Sequence, residues 1–129
     1  MRLLPDASVW VDYLRGRDAA VVDELDGHLE RESVFMCGPV IAELLAGTAV
    51  ERREDLWLAL GSLPWSDLDQ LAWQQIGELA FELRRRGTPV PIIDIAIAVS
   101  ALNVEAELWT RDADFQRIRE ALPALNLHT

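Results

Sequence analysis

Five acidic residues scattered along the chain stand where an α/β sheet would gather them: Asp6, Glu43, Asp94, Asp112 and Asp114. Asp6 follows the apolar Leu3-Leu4-Pro5. Glu43 lies just inside a helix that opens after Gly38-Pro39. Asp94 opens the apolar run Ile95–Leu102, and Asp112 and Asp114 follow the strand-like Leu108-Trp109-Thr110. In an open α/β sheet these positions line the crevice beyond the carboxyl ends of the strands. Carboxylates that converge there repel one another unless a cation joins them, and an all-oxygen donor set suits Mg²⁺ or Mn²⁺. All 12 basic residues are arginine, so any mechanism that needs a catalytic amine on lysine is excluded. Cys37 is the single cysteine, which leaves no disulfide framework and no thiolate metal site, and it reads as a small buried hydrophobe. His28 and His128 are far apart in sequence and read as surface residues.

The elements that must position these acids follow from the apolar spacing. Leu3–Pro5 reads as a first strand, with Pro5 at its end because proline cannot donate to a ladder. Ser8 is placed to cap a helix running to about Arg15 that Gly16 would stop. Asp18 caps a second helix, Ala19–Glu30, with Val21, Val22, Leu25 and Leu29 as its apolar positions. Ser33–Met36 reads as a second strand. A helix then runs from Pro39, favoured at a first helical position, to Ala46, with Gly47 past its end. Val50–Leu60 reads as a helix and Leu63–Trp65 as a short strand. The longest helix spans Leu68–Arg86, with Asp67 and Asp69 as capping acids and Gly87 as its stop. Ile92–Leu102 is a helix with almost no polar face, which places it against the sheet. Glu107–Thr110 and Leu125–Leu127 are the last two strands. Strands alternating with helices give a mostly parallel sheet, covered on both faces.

At 129 residues the chain is long enough for one domain that buries about two thirds of its unfolded surface. No apolar run approaches the roughly 18 residues of a membrane-spanning helix, and Asp6 and Asp12 interrupt the apolar start, so a cytoplasmic protein is expected. The formal net charge of −10 argues against holding nucleic acid on a broad basic surface. It does not exclude an enzyme that reaches phosphate through a metal.

Four stretches carry a resemblance. Asp6-Ala7-Ser8-Val9-Trp10-Val11-Asp12 resembles the opening motif of PIN-domain ribonucleases, especially toxins of the bacterial VapC group. Ile41-Ala42-Glu43-Leu44-Leu45-Ala46-Gly47 resembles the segment that carries that family's second acid. Asp94-Ile95-Ala96-Ile97-Ala98 resembles the helix carrying the third, and Thr110-Arg111-Asp112-Ala113-Asp114-Phe115 the closing motif. The resemblance covers nearly the whole chain. It implies a PIN-like three-layer α/β/α sandwich around a mostly parallel, about five-stranded sheet, formed by residues 1–129 as a single domain. It also implies endonucleolytic hydrolysis of RNA, with transfer or ribosomal RNA as substrate and Mg²⁺ or Mn²⁺ as cofactor. It carries Asp6, Glu43, Asp94 and Asp112 onto the acidic site. Asp114 matches a further acid, and either it or Asp112 stands closer to the metal. Pro5, and Ala7 where a threonine is common, are mild departures.

In that frame Asp6 and Asp94 are the direct ligands, with Asp112 and Asp114 completing the set. Glu43 is an outer-sphere group or general base, and Ser8 and Thr110 are hydroxyls that orient a carboxylate or bind phosphate. The expected cleavage, by a water activated at the metal, leaves 5′-phosphate and 3′-hydroxyl ends. Arg84-Arg85-Arg86 reads either as a solvated helix end or as a phosphate clamp, and Arg111 is a further substrate-binding candidate. Asp12 reads as exposed or arginine-paired. The family pairs its toxins with a small VapB-like antitoxin, so Trp10 and Trp57 are candidate antitoxin contacts, and a homodimer is also implied.

The competing readings are weaker. A phosphoacceptor receiver domain needs a lysine that this chain lacks. A phosphatase of the Asp-x-Asp type meets Ser8 in place of its second acid. A non-catalytic PIN-like module that only recruits a partner protein is the main alternative, and its usual mark is the loss of one or more acids.

Overall fold

The computed structural model describes residues 1–129. Four short strands and seven helices alternate: β1 Leu3–Pro5, α1 Ala7–Arg15, α2 Ala19–Glu30, β2 Met36–Cys37, α3 Gly38–Ala46, α4 Arg53–Gly61, β3 Trp65–Ser66, α5 Gln70–Arg85, α6 Ile92–Asn103, β4 Glu107–Trp109 and α7 Asp114–Ala121. A short 3-10 turn at Val50–Arg52 precedes α4.

Two parallel ladders make the sheet. In one, Leu3, Leu4 and Pro5 pair with Glu107, Leu108 and Trp109. In the other, Met36 and Cys37 pair with Trp65 and Ser66. A parallel bridge between Leu3 and Val34 joins the ladders, and another between Leu108 and Leu127 adds the last segment. The spatial order is therefore β3-β2-β1-β4 followed by the segment at Leu127. The chain walks outward from β1 through β2 to β3 and then returns to the other flank of β1. That reversal opens a crevice at the carboxyl ends of β1 and β4.

The local structure obeys the capping chemistry of the sequence. Asp18 accepts from the backbone N–H of Ala20 and Val21, and Asp69 from that of Ala72 at 2.9 Å. Gly16 ends α1 at φ +63°, a left-handed position where a side chain would be strained. α1 packs with α2 and α3, and α6 with α5 and α7, giving helical layers about the sheet. From Ile95 to Ala101 every residue of α6 is buried, so this helix is the spine of the core. Its one buried hydroxyl, Ser100, donates to the Ala96 carbonyl at 2.8 Å, and Ser66 at the end of β3 donates to the Ser100 carbonyl at 2.7 Å. No helix is long and apolar enough to cross a membrane.

Two expectations need correction, and one element is new. The cap of α1 is Asp6, which accepts from the Val9 N–H at 3.2 Å; Ser8 instead lies within the first turn. The second strand falls at Met36–Cys37, because Ser33 to Phe35 meet the sheet only through the Leu3 segment. α7 is the element without a sequence expectation, although Phe115 and Ile118 are buried one turn apart.

Candidate active site

Asp6 is the anchor. It leaves β1 with its own N–H bonded to the Trp109 carbonyl at 2.9 Å, so the β1–β4 pairing fixes its backbone. Its side chain is buried. One carboxylate oxygen accepts from the Ser8 hydroxyl at 2.5 Å and the other from the Thr110 hydroxyl at 2.5 Å. Charge-assisted bonds of this length are the strong kind, and they replace the hydration that burial removes. The same two hydroxyls also reach the closing loop: Ser8 Oγ accepts from the Arg111 N–H at 3.2 Å, and Thr110 Oγ1 from the Asp112 N–H at 2.9 Å. Ser8 and Thr110 thus lock the first acid to the last motif across the sheet.

Asp94, Asp112 and Asp114 form the open side. One carboxylate oxygen from each lies within 4.8 Å of the others, close enough for a shared cation. Asp94 comes from the first turn of α6, where Pro91 occupies the cap position and no side chain caps the helix. Its carboxylate is therefore not spent on its own helix. Asp112 accepts from the Asp114 N–H at 2.9 Å, which turns the chain into α7. Asp114 in turn takes an ion pair from Arg117 at 3.3 Å, one helical turn on.

The electrostatics report convergence. Partial burial is the first cause that pushes the Asp94 carboxyl up, to about 6, and repulsion from Asp112, Glu43, Asp114 and Asp6 adds to it. The four acids that act on Asp94 are the other four that the sequence singled out. Glu43 is raised above the usual carboxylate range by partial burial and then by the charge of Asp6. It stands at the rim: α3 buries Ile41 and Leu44 while Glu43 lies on the exposed side. Hard, mutually repelling oxygens with no basic side chain seated among Asp6, Asp94 and Asp112 fit a Mg²⁺-like ion well.

The flanking candidates divide. Arg111 lies outside the acidic group and pairs with Asp12 at 2.9 Å and Asp18 at 2.6 Å, tying the closing loop to α1 and the start of α2. Arg85 and Arg86 both pair with Glu82, leaving Arg84 of this run without an ion pair. Trp10 is 1% exposed and belongs to the core, edge-on to Tyr13, so as a direct antitoxin contact it is corrected. Trp57 is 48% exposed, stands edge-on to Trp65 and lies over Gly61. Arg117 was missed, since the helix that brings it to Asp114 was missed. The apolar spacing of Phe115, Ile118 and Leu122 before Pro123 is the signal that would have found it.

Fold and site together define an α/β protein with a carboxylate-lined crevice at its switch point. The family model of the PIN domain matches residues 3–121. Ribonuclease VapC11 of Mycobacterium tuberculosis is 30% identical over 121 residues, 90% of each chain. Ribonuclease VapC32 of the same organism is 31% identical over 114 residues, 85% of this chain and 84% of its own. Among solved structures, VapBC2 from Rickettsia felis bound to a promoter DNA fragment superposes with a TM-score of 0.78 at 22% identity, covering 99% of this chain and 98% of that one. DNA-bound VapBC from Salmonella typhimurium gives 0.79 at 20% identity, covering 99% and 97%. The chain belongs to the PIN-domain family, within its VapC group.

Proposed function

We propose that the protein is a divalent-metal-dependent endoribonuclease, the toxin of a toxin–antitoxin pair. The observation that carries this reading is the approach of Asp94, Asp112 and Asp114 within 4.8 Å beside an Asp6 already fixed by two hydroxyls. A Mg²⁺ or Mn²⁺ ion bound there would stabilise the charge that builds on phosphodiester oxygens and lower the pKa of a water. The side chains of Asp94, Asp112 and Asp114, with Asp6 beside them, would hold that ion. Glu43, at the rim with a raised carboxyl, is suited to take a proton from the attacking water. Ser8 and Thr110 keep Asp6 from rotating away.

Substrate reaches the crevice as phosphate. Arg84, Arg85, Arg86 and Arg111 are the cations offered, and Arg117 joins them. The pairs that Arg85, Arg86 and Arg111 make lie at the exposed surface, where ion pairs contribute little, so a phosphate can displace them. With a net charge of −10, contact is confined to such local cations, which favours a structured RNA loop, of transfer or ribosomal RNA, over long non-specific tracts. The VapC relatives are named ribonucleases and the structural neighbours are VapBC complexes, which supports an antitoxin partner of the VapB type. Trp57 and Leu58 on α4, both exposed, supply an apolar anchor for its segment. The exposed Trp73 and Phe81 on α5 are candidates for the homodimer surface.

The test is cleavage of total bacterial RNA by purified protein, with ends mapped by sequencing, in Mg²⁺, in Mn²⁺ and in chelator, with Asp112→Asn as control. Cuts at a few sites, dependent on metal and lost in Asp112→Asn, support the reading. A folded, antitoxin-free preparation that cuts nothing overturns it in favour of a protein-recruiting module.

A further inference from the structure

The two histidines that look isolated in the sequence meet in space. Glu24 and His28 lie one turn apart on one face of α2. His128 follows Leu127 along the outer flank of β4, with its N–H bonded to the Leu108 carbonyl at 2.8 Å. The rings of His28 and His128 stand edge-on, 5.8 Å between centroids. His128 Nε2 contacts Glu24 Oε2, and His28 Nε2 lies 3.6 Å from the same oxygen. One donor atom from each of the three residues falls within 4.8 Å of the others. His28 is buried at 6% exposure, and the His128 side chain is 11% exposed.

From this geometry we infer a second metal site: Glu24, His28 and His128 bind a borderline first-row ion of the Zn²⁺ type. Two imidazole nitrogens and one carboxylate oxygen form a donor set that such ions favour and Mg²⁺ does not. The outer partners are in place. Glu107 Oε1 sits 2.9 Å from His128 Nδ1, the carboxylate–histidine arrangement that fixes the tautomer and presents Nε2 to a metal. Around His28, the Ser33 hydroxyl donates to the His28 carbonyl at 3.1 Å. Its oxygen, 3.5 Å from Nδ1, is left to accept the ring proton, and this tautomer frees Nε2. The Arg31 guanidinium, now 3.2 Å from Nδ1, can only donate, so binding a metal through Nε2 requires this exposed side chain to swing away. Glu24 is exposed, so solvent could supply a fourth ligand. The site is separate from the acidic crevice, since Glu107 begins β4 and Asp112 lies beyond its end. Its role is to clamp the last segment of the sheet to α2.

The experiment uses the full chain with the crevice disabled by Asp94→Asn and Asp112→Asn, titrated with Co²⁺ and followed by visible absorption. One equivalent is expected, with the intense bands of a low-coordinate nitrogen–oxygen site, displaced by Zn²⁺. Adding His128→Gln should abolish the bands, and adding Glu107→Gln should weaken binding by about 10- to 100-fold. Circular dichroism verifies that each variant is folded, and Glu107→Gln carries the test if His128→Gln is not. The absence of Co²⁺ bands in the crevice-disabled protein overturns the site, and so do bands unchanged by the substitutions. In the otherwise unaltered chain, His128→Gln should leave Mg²⁺-supported RNA cleavage as it was, so this result and the nuclease assay fail independently.

Discussion

Replacing Asp94 with asparagine should stabilise the metal-free protein and destabilise the metal-bound one. The neutral amide keeps the size of the side chain and removes one charge from the acidic group. The carboxyl lies at about 6 instead of the ordinary 3.8 because burial and four neighbouring acids penalise its charged form. At ~1.4 kcal/mol per pH unit that displacement sets an upper limit near 3 kcal/mol. Asp94 is only half-buried, so screening reduces the figure to ~1 kcal/mol. The sign follows from proton counting. Between the two pKa values the folded state holds a proton on Asp94 that the unfolded state has released, so the contribution of Asp94 to wild-type stability falls as pH rises from about 4 through 6. In chelator the wild type and Asp94→Asn should therefore have similar midpoints near the acid end. By pH about 8 they should diverge by ~3–5 °C in favour of the variant, taking ~1 kcal/mol for a domain of this size. Excess Mg²⁺ should reverse the order, since ligand at about 100 times its dissociation constant adds ~2.7 kcal/mol to the form that binds it. Thermal unfolding followed by circular dichroism across pH, with chelator and with Mg²⁺, reads all of this. An Asp94→Asn protein less stable than wild type in chelator at pH about 8 would refute the account of the site as a repelling cluster.

Thr110→Val removes the hydroxyl shared by Asp6 and Asp112; it should cost ~1.5–3 kcal/mol in a denaturant titration and lower RNA cleavage at least about tenfold, with Thr110→Ser recovering both. Trp57→Glu should weaken antitoxin binding by ~2 kcal/mol or more in calorimetry while leaving the unfolding midpoint close to wild type, and an unchanged affinity would count against α4 as the docking helix. Ile118→Ala should destabilise the fold by ~2–5 kcal/mol, because the side chain is fully buried on the helix that follows the closing motif.

Much of this architecture is legible in the sequence because its punctuation is strong. Asp18, Asp69 and Gly16 each do locally what their residue types favour, so α1, α2 and α5 emerge close to their true bounds. The acids could be picked out because strand ends in a parallel sheet share one edge. Other features depend on information that spacing does not hold. Phe115 and Ile118 give α7 only two buried positions among charged neighbours, a weak periodic signal. Trp10 and Trp57 look alike along the chain, and only packing separates a core indole from an exposed one. Glu43 has apolar neighbours in sequence, and only the helix geometry separates the buried Ile41 and Leu44 from the exposed Glu43. His28 and His128 are brought together by the Leu127 segment, a contact across 100 residues that no local pattern reveals.

The bond between Thr110 and Asp6 spans 104 positions, and β1 pairs with β4 while β2 and β3 are made in between. During synthesis the first strand is exposed early but cannot complete its ladder, and the first acid cannot be fixed, until the closing motif has left the ribosome. At the usual ~5–20 residues per second that delay is about 5–20 s. A growing chain therefore carries no assembled crevice until that motif has emerged. The crevice becomes competent only once the closing motif has emerged, 104 positions after the first acid, so a binding partner has those seconds in which to be ready.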